Sequence, residues 1–186
     1  MTLDEVRAMI DSIDPEIRTL IMKRLDCSVE VAKAKKASGD ITIYRADREE
    51  DILRRLGESV PEDRRAGYLS VVRKIMETSR MYQYGLLFDW IGGLFEPLAE
   101  GIELRPDTSR VRLRLTRPDQ PNSMSAVLSM IGDYGYNMEK MELIDISDGK
   151  ATFELTVIGC LSEIHMQKLM FQLSMESSDF KLLENY

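Results

Sequence analysis

Two cysteines in 186 residues, Cys27 and Cys160, are too few and too far apart for a disulfide framework or a thiolate metal site. They read instead as small buried apolar residues. The single histidine, His165, has no second ligand at metal spacing and reads as a surface residue. No uninterrupted apolar run approaches the roughly 20 residues needed to cross a bilayer, so no membrane role is expected. The opening residues Met-Thr-Leu-Asp-Glu-Val lack a basic stretch leading into an apolar one, which makes the cytoplasm the expected location. Positive charge is also scarce. The 25 Lys and Arg stand against 32 Asp and Glu, a net −7, which is a poor basis for holding nucleic acid.

The deficit is confined to one half of the chain. Residues 1–86 carry 16 basic and 16 acidic side chains, whereas residues 87–186 carry 9 and 16. Balances this different predict two units. Hydrophobic periodicity agrees. Leu3, Val6, Ile10, Ile13, Ile17, Leu20, Ile21 and Leu25 recur at helical steps, with Thr2 and Glu5 spaced as a capping box and Gly39 as a stop. Pro15 interrupts this pattern. A proline inside a helix costs about 3 kcal/mol, so a kink or short break is expected near Ser12–Pro15. Asp47 is placed to cap a short helix through Leu56, and a third helix is expected over Glu62–Trp90.

Beyond Pro97, Gly101 and Pro106 the period changes to two. Arg110–Thr116 alternates strictly, and Tyr136–Ile146, Ala151–Ile158 and Phe180–Leu183 also read as strands. Ser123–Ile131 and Ser162–Met175 read as helices between them. The order βαββαβ is a ferredoxin-like arrangement. The expected fold class is therefore α+β, with a three-helix unit at 1–93, a linker at 94–109 and a βαββαβ unit at 110–186. The methionines at 124, 130, 138, 141, 166, 170 and 175 are expected to fill gaps in the core or between the units.

The informative residues of the first half are polar ones set among apolar stripes. Arg24 and Lys35 lie 11 residues apart, about three turns and roughly 16 Å along one helix face, and can clasp a small anion between them. Ser79 and Gln83 are neighbours on the third helix, and Arg48-Glu49 opens the second. Arg7 is 17 residues from Arg24, about 25 Å along the axis. If both serve one small ligand, Arg7 must come from a second chain. A helix this long in a small three-helix unit also cannot bury its stripe alone, so an intertwined homodimer is expected.

The spacing Arg7…Arg24…Lys35…Arg48-Glu49…Ser79…Gln83 resembles the all-helical chorismate mutase family. The strings Leu3–Arg7, Val29–Lys35, Asp47–Leu53 and Ile75–Gln83 are similar to its hallmark segments, and together they cover residues 1 to about 88. The resemblance implies a Claisen rearrangement of chorismate to prephenate, with no cofactor and no metal. By position, Arg24 and a second chain's Arg7 would bind the two carboxylates, with Ser79 assisting. Lys35 and Gln83 would donate to the ether oxygen, Glu49 would accept from the ring hydroxyl, and Arg48 would support Glu49. Many members carry Asp where Arg45 stands here; in the family that position also takes part in the site, partly through its backbone.

Residues 110–186 resemble an ACT domain, the regulatory module that often binds amino acids at paired interfaces. Asn122, Ser123 and Met124 match its first ligand-contacting turn, and Asn137 lies in the segment matching the entry to its second strand. Members that bind amino acids usually have Gly where Asn122 stands. Two roles follow for the unit: binding an aromatic amino acid derived from prephenate, or dimerisation alone. Two rival functions remain for the whole chain. One is a non-catalytic amino-acid sensor; the other is an isochorismate pyruvate lyase on the same helical scaffold.

Overall fold

The computed structural model describes residues 1–186, which divide into two units. One comprises Met1–Ile41 and Arg45–Leu86, the other Thr42–Tyr44 and Leu87–Tyr186.

The first unit is built from α1 (Leu3–Ser38), α2 (Ala46–Glu58) and most of α3 (Glu62–Trp90). The predicted capping box closes the start of α1. Thr2 Oγ1 accepts from Glu5 N at 3.3 Å, and the Glu5 carboxylate accepts from Thr2 N at 2.7 Å. Gly39, at φ 73°, ends the helix in the left-handed conformation that favours glycine.

The expected break at Pro15 is absent, and α1 runs through it for 36 residues. Pro15 has no N–H for the Asp11 carbonyl, but both residues are exposed, so water takes the place of the lost bond. Ser12 Oγ donates to Met9 O and Thr19 Oγ1 to Pro15 O, which gives two neighbouring carbonyls further donors.

At the start of α2 the N-cap is Arg45 rather than Asp47, and its side chain makes no capping bond. Asp47 sits inside the first turn, where the positive end of the helix favours a carboxylate. Arg45 Nη2, 3.3 Å away, holds the Asp47 carboxyl below the ordinary carboxylate range.

The second unit places β1 (Arg110–Pro118), α4 (Ser123–Asp133), β2 (Asn137–Ser147), β3 (Lys150–Ile158), α5 (Ile164–Glu176) and β4 (Ser178–Asn185) in the expected βαββαβ order. The sheet is antiparallel, in the order β2-β3-β1-β4. Its core consists of Val111, Leu113 and Leu115 of β1, Leu155 and Val157 of β3, and Val127, Ile131, Met166, Leu169, Met170 and Leu173 of the helices. Gly159 lets β3 pass under this layer. A Cβ there would press into Met166 Cε and lie 2.9 Å from the Tyr136 ring.

The methionines divide. Met130, Met166 and Met170 are buried as expected, whereas Met141 is 42% exposed. Cys160 is buried, but Cys27 is exposed, contrary to the sequence expectation.

Two apolar surfaces have no cover within the chain. On α1, Leu3, Val6, Ile10, Ile13, Ile17 and Leu20 all remain exposed along one stripe. On β2, Met141 and Leu143 lie beside Leu155 and Phe153 of β3, so they share the side chains' direction on the core face. They remain about half exposed because β2 is the edge strand. No helix is long and apolar enough to cross a membrane.

Candidate active site

The helical unit gathers polar side chains from all three helices at the C-terminal half of α1. Residues 24, 28, 32 and 35 fall on one face at helical spacing. Ala32, fully buried, lets another helix approach closely there. Arg24 Nη1 donates to Ile75 O of α3 at 3.2 Å, which anchors one arm of the guanidinium. One turn on, the Ser28 and Ser79 hydroxyls lie 2.6 Å apart, and Ser28 Oγ also reaches Arg24 O at 3.2 Å. Gln83 extends the chain, with Nε2 donating to Ser79 O at 3.1 Å and to Ser79 Oγ at 3.0 Å. Its Oε1 is buried without a hydrogen-bond partner. A buried polar atom left in this state is costly unless a ligand or water meets it.

Lys35 lies one turn from the end of α1. Its Nζ donates to Asp40 Oδ2 at 2.7 Å, and its side chain is only 26% exposed. Asp40 is placed by the turn that follows Gly39, where its N–H donates to Ser38 Oγ at 3.3 Å.

Glu49, in the first turn of α2, accepts from Arg80 Nη1 at 2.5 and 2.7 Å, one distance to each carboxylate oxygen. Arg80 is 6% exposed. The resemblance assigned the support of Glu49 to Arg48; the structure gives that contact to Arg80 and leaves Arg48 on an exposed position. Arg45 is likewise exposed and paired with Asp47.

Arg7 stands apart. On an unbroken α1 it is about 25 Å from Arg24. It pairs with Asp4 at 3.4 Å on an exposed surface.

The arrangement thus sets cations on α1 and α3, a chain of neutral hydrogen-bonding groups from α1 and α3, and one neutralised carboxylate on α2. Chemically it can bind a small anion and polarise an oxygen, with Glu49 as an oriented acceptor.

Residues 6–84 match the family model described as chorismate mutase type II. The match covers less than half of the chain. The matched segment contains every helical site residue named above. Two solved structures are similar over part of the chain. One is described as GqqA, a novel type of quorum quenching acylase; it is 20% identical over 46% of this chain and 45% of its own, with a TM-score of 0.43. The other is a prephenate dehydratase in complex with L-Phe from Arthrobacter aurescens; it is 17% identical over 46% of this chain and 29% of its own, with a TM-score of 0.42. The chain therefore spans less than half the length of either. No curated protein matches it.

Three contributors escaped the sequence reading: Ser28, Asp40 and Arg80. Ser28 carried a usable signal, since it lies one turn from Arg24 on the face that also bears Lys35. Asp40 and Arg80 are ion-pair partners brought in by a turn and by helix packing.

Proposed function

We propose that the helical unit is a cytoplasmic chorismate mutase, converting chorismate to prephenate on the way to phenylalanine and tyrosine. The observation that supports this reading is the link from Arg24 to Ile75 O, the Ser28–Ser79–Gln83 hydrogen-bond chain and the Arg80–Glu49 pair, all in the segment that matches the family model.

The rearrangement needs no covalent intermediate. The enzyme must hold a flexible dianion in its reactive diaxial form and stabilise charge growing on the ether oxygen as the C–O bond breaks. Arg24 has one arm fixed on Ile75 O, and its remaining donors suit a carboxylate. The partner subunit's Arg7 takes the second carboxylate, with Arg48 adding positive charge and Ser79 a hydroxyl. Lys35 turns from Asp40 to donate to the ether oxygen. Glu49 accepts from the ring hydroxyl.

Gln83 needs a rearrangement, because both its N–H donors are occupied by Ser79. A half-turn of the amide, with the side chain drawn away from Ser79 O so that two carbonyl oxygens do not meet, exchanges the roles. Oε1 then accepts from the Ser79 hydroxyl, Ser28 donates to Ser79 Oγ, and Nε2 faces the ether oxygen. The hydroxyl pair can reverse direction because each hydroxyl is both donor and acceptor.

The exposed α1 stripe supports a homodimer in which each chain completes the other's site. The α/β unit serves as an ACT-like module. Asn122 adopts φ 67°, so the turn matched to a glycine in the family does form, and Ser123 Oγ is buried beside it without a partner. An aromatic amino acid at Asn122, Ser123, Met124 and the strand entry at Asn137 is the ligand we assign, and a second copy covers the β2 edge.

Purified protein is expected to consume chorismate and form prephenate. Lys35→Ala should lower kcat by about 10²–10³-fold or more without unfolding the chain, as expected for loss of a donor to developing charge. Full activity in that variant would remove Lys35 from the site, and pyruvate release from isochorismate without chorismate turnover would make the chain a lyase.

Mixing inactive Arg7→Ala and Lys35→Ala subunits should restore about a quarter of wild-type activity, since half the dimers are mixed and each has one intact site. No recovery after verified subunit exchange would exclude the shared site.

Gln83→Glu should be weak at neutral pH and gain activity as pH falls toward the ordinary Glu value of about 4.3, because only the protonated carboxyl can donate. A flat profile parallel to wild type would show that Gln83 does not act as a donor.

Titration with Phe or Tyr should release heat in a calorimeter and reduce mutase turnover. Absence of heat with both would leave the α/β unit a dimerisation module.

A further inference from the structure

We infer that Arg80 is a positioning residue for Glu49, holding its carboxylate as a neutralised acceptor without touching the substrate. The inference rests on the chorismate mutase reading. A buried arginine needs a strong partner, and at 6% exposure Arg80 has one in Glu49, 31 residues away on another helix. A single nitrogen, Nη1, sits between the two carboxylate oxygens at 2.5 and 2.7 Å. That geometry fixes the plane of the carboxylate and uses one lone pair on each oxygen. About four lone-pair sites exist on a carboxylate, so acceptor capacity is left over for a hydroxyl. The Glu49 side chain remains 23% exposed, which leaves a face of the carboxylate open.

The charge arithmetic of the site requires such a partner. The substrate is a dianion, and a bare carboxylate beside it would repel it. Arg80 cancels that charge while preserving the lone pairs that do the work. A neutral acceptor such as glutamine would avoid the repulsion too, but it would accept a weaker hydrogen bond than a charged group.

The sequence position of Arg80 gives it this reach. Ser79 and Arg80 are adjacent on α3, so their side chains leave the helix about 100° apart. Ser79 meets Ser28 of α1, and Arg80 meets Glu49 of α2. One turn of α3 therefore ties the donor chain and the acceptor to the same backbone. A shift of α2 against α3 would move Glu49 relative to Gln83 unless this pair held it.

The test is a double-mutant cycle in the full-length protein, read by chorismate turnover and by thermal melting. Arg80→Gln should lower kcat/KM about 10–100-fold, the scale of a misplaced site group. In a Glu49→Gln background the same change should cost less than about threefold, because Arg80 acts through Glu49. Arg80→Lys, which keeps the charge, should recover part of the loss. Should Arg80→Gln fail to fold, the double variant Arg80→Gln/Glu49→Gln, which buries no unpaired charge, still decides against Glu49→Gln alone. Equal kcat/KM in those two supports the positioning role, and a tenfold or greater gap overturns it. Unchanged turnover in a folded Arg80→Gln also overturns it. Wild-type protein inactive on chorismate would instead refute the underlying mutase reading.

Discussion

Helix α1 runs without a break for 36 residues, about 54 Å, and this single rod sets the terms for the rest of the helical unit. Its C-terminal half is where α3 meets it through Arg24 and Ser28, and Ala32 and Ser28 are buried there. Its first 18 residues are exposed on every side, including six large apolar side chains in register. A stripe of that length has no means of satisfaction within 186 residues and asks for a second helix. The same rod keeps Arg7 about 25 Å from Arg24, so a kink at Pro15 would have been the one feature able to bring them closer. Its absence strengthens the argument for a shared site rather than weakening it.

Much of this architecture was legible because it depends on local chemistry. The capping box at Thr2–Glu5, the glycine stop at 39 and the change of period at residue 110 are short-range signals, and each element they mark is present. Asn122 in a left-handed turn was legible for the same reason, since asparagine tolerates that backbone. Pro15 does not break the helix because the carbonyl that it orphans is exposed, where water removes much of the cost. Cys27 misled in the opposite sense, since a residue type that is usually buried happens to fall outside the α1 face that packs.

The proposed site residues were open to selection from the sequence, but the contacts that they make were not. Arg24, Lys35, Glu49, Ser79 and Gln83 could be selected from spacing and family pattern. Their partners could not, because those partners are set by tertiary packing. Glu49 has Arg48 next to it in sequence and Arg80 next to it in space. Adjacent residues on a helix point about 100° apart, so a sequence neighbour is a poor candidate for a contact. Lys35 is likewise held by Asp40, five residues on and beyond the glycine turn, which no helical periodicity would select.

These pairings bear on how a chain of net −7 could serve the dianion of the proposed function. Charge is screened within about 10 Å at ordinary ionic strength, so a chain's net charge says little about any one site. What matters is the charge within a few ångströms. There, Lys35 is paired with Asp40, and Glu49 is cancelled by a buried arginine. The Lys35–Asp40 pair keeps a partly buried cation from being left unpaired.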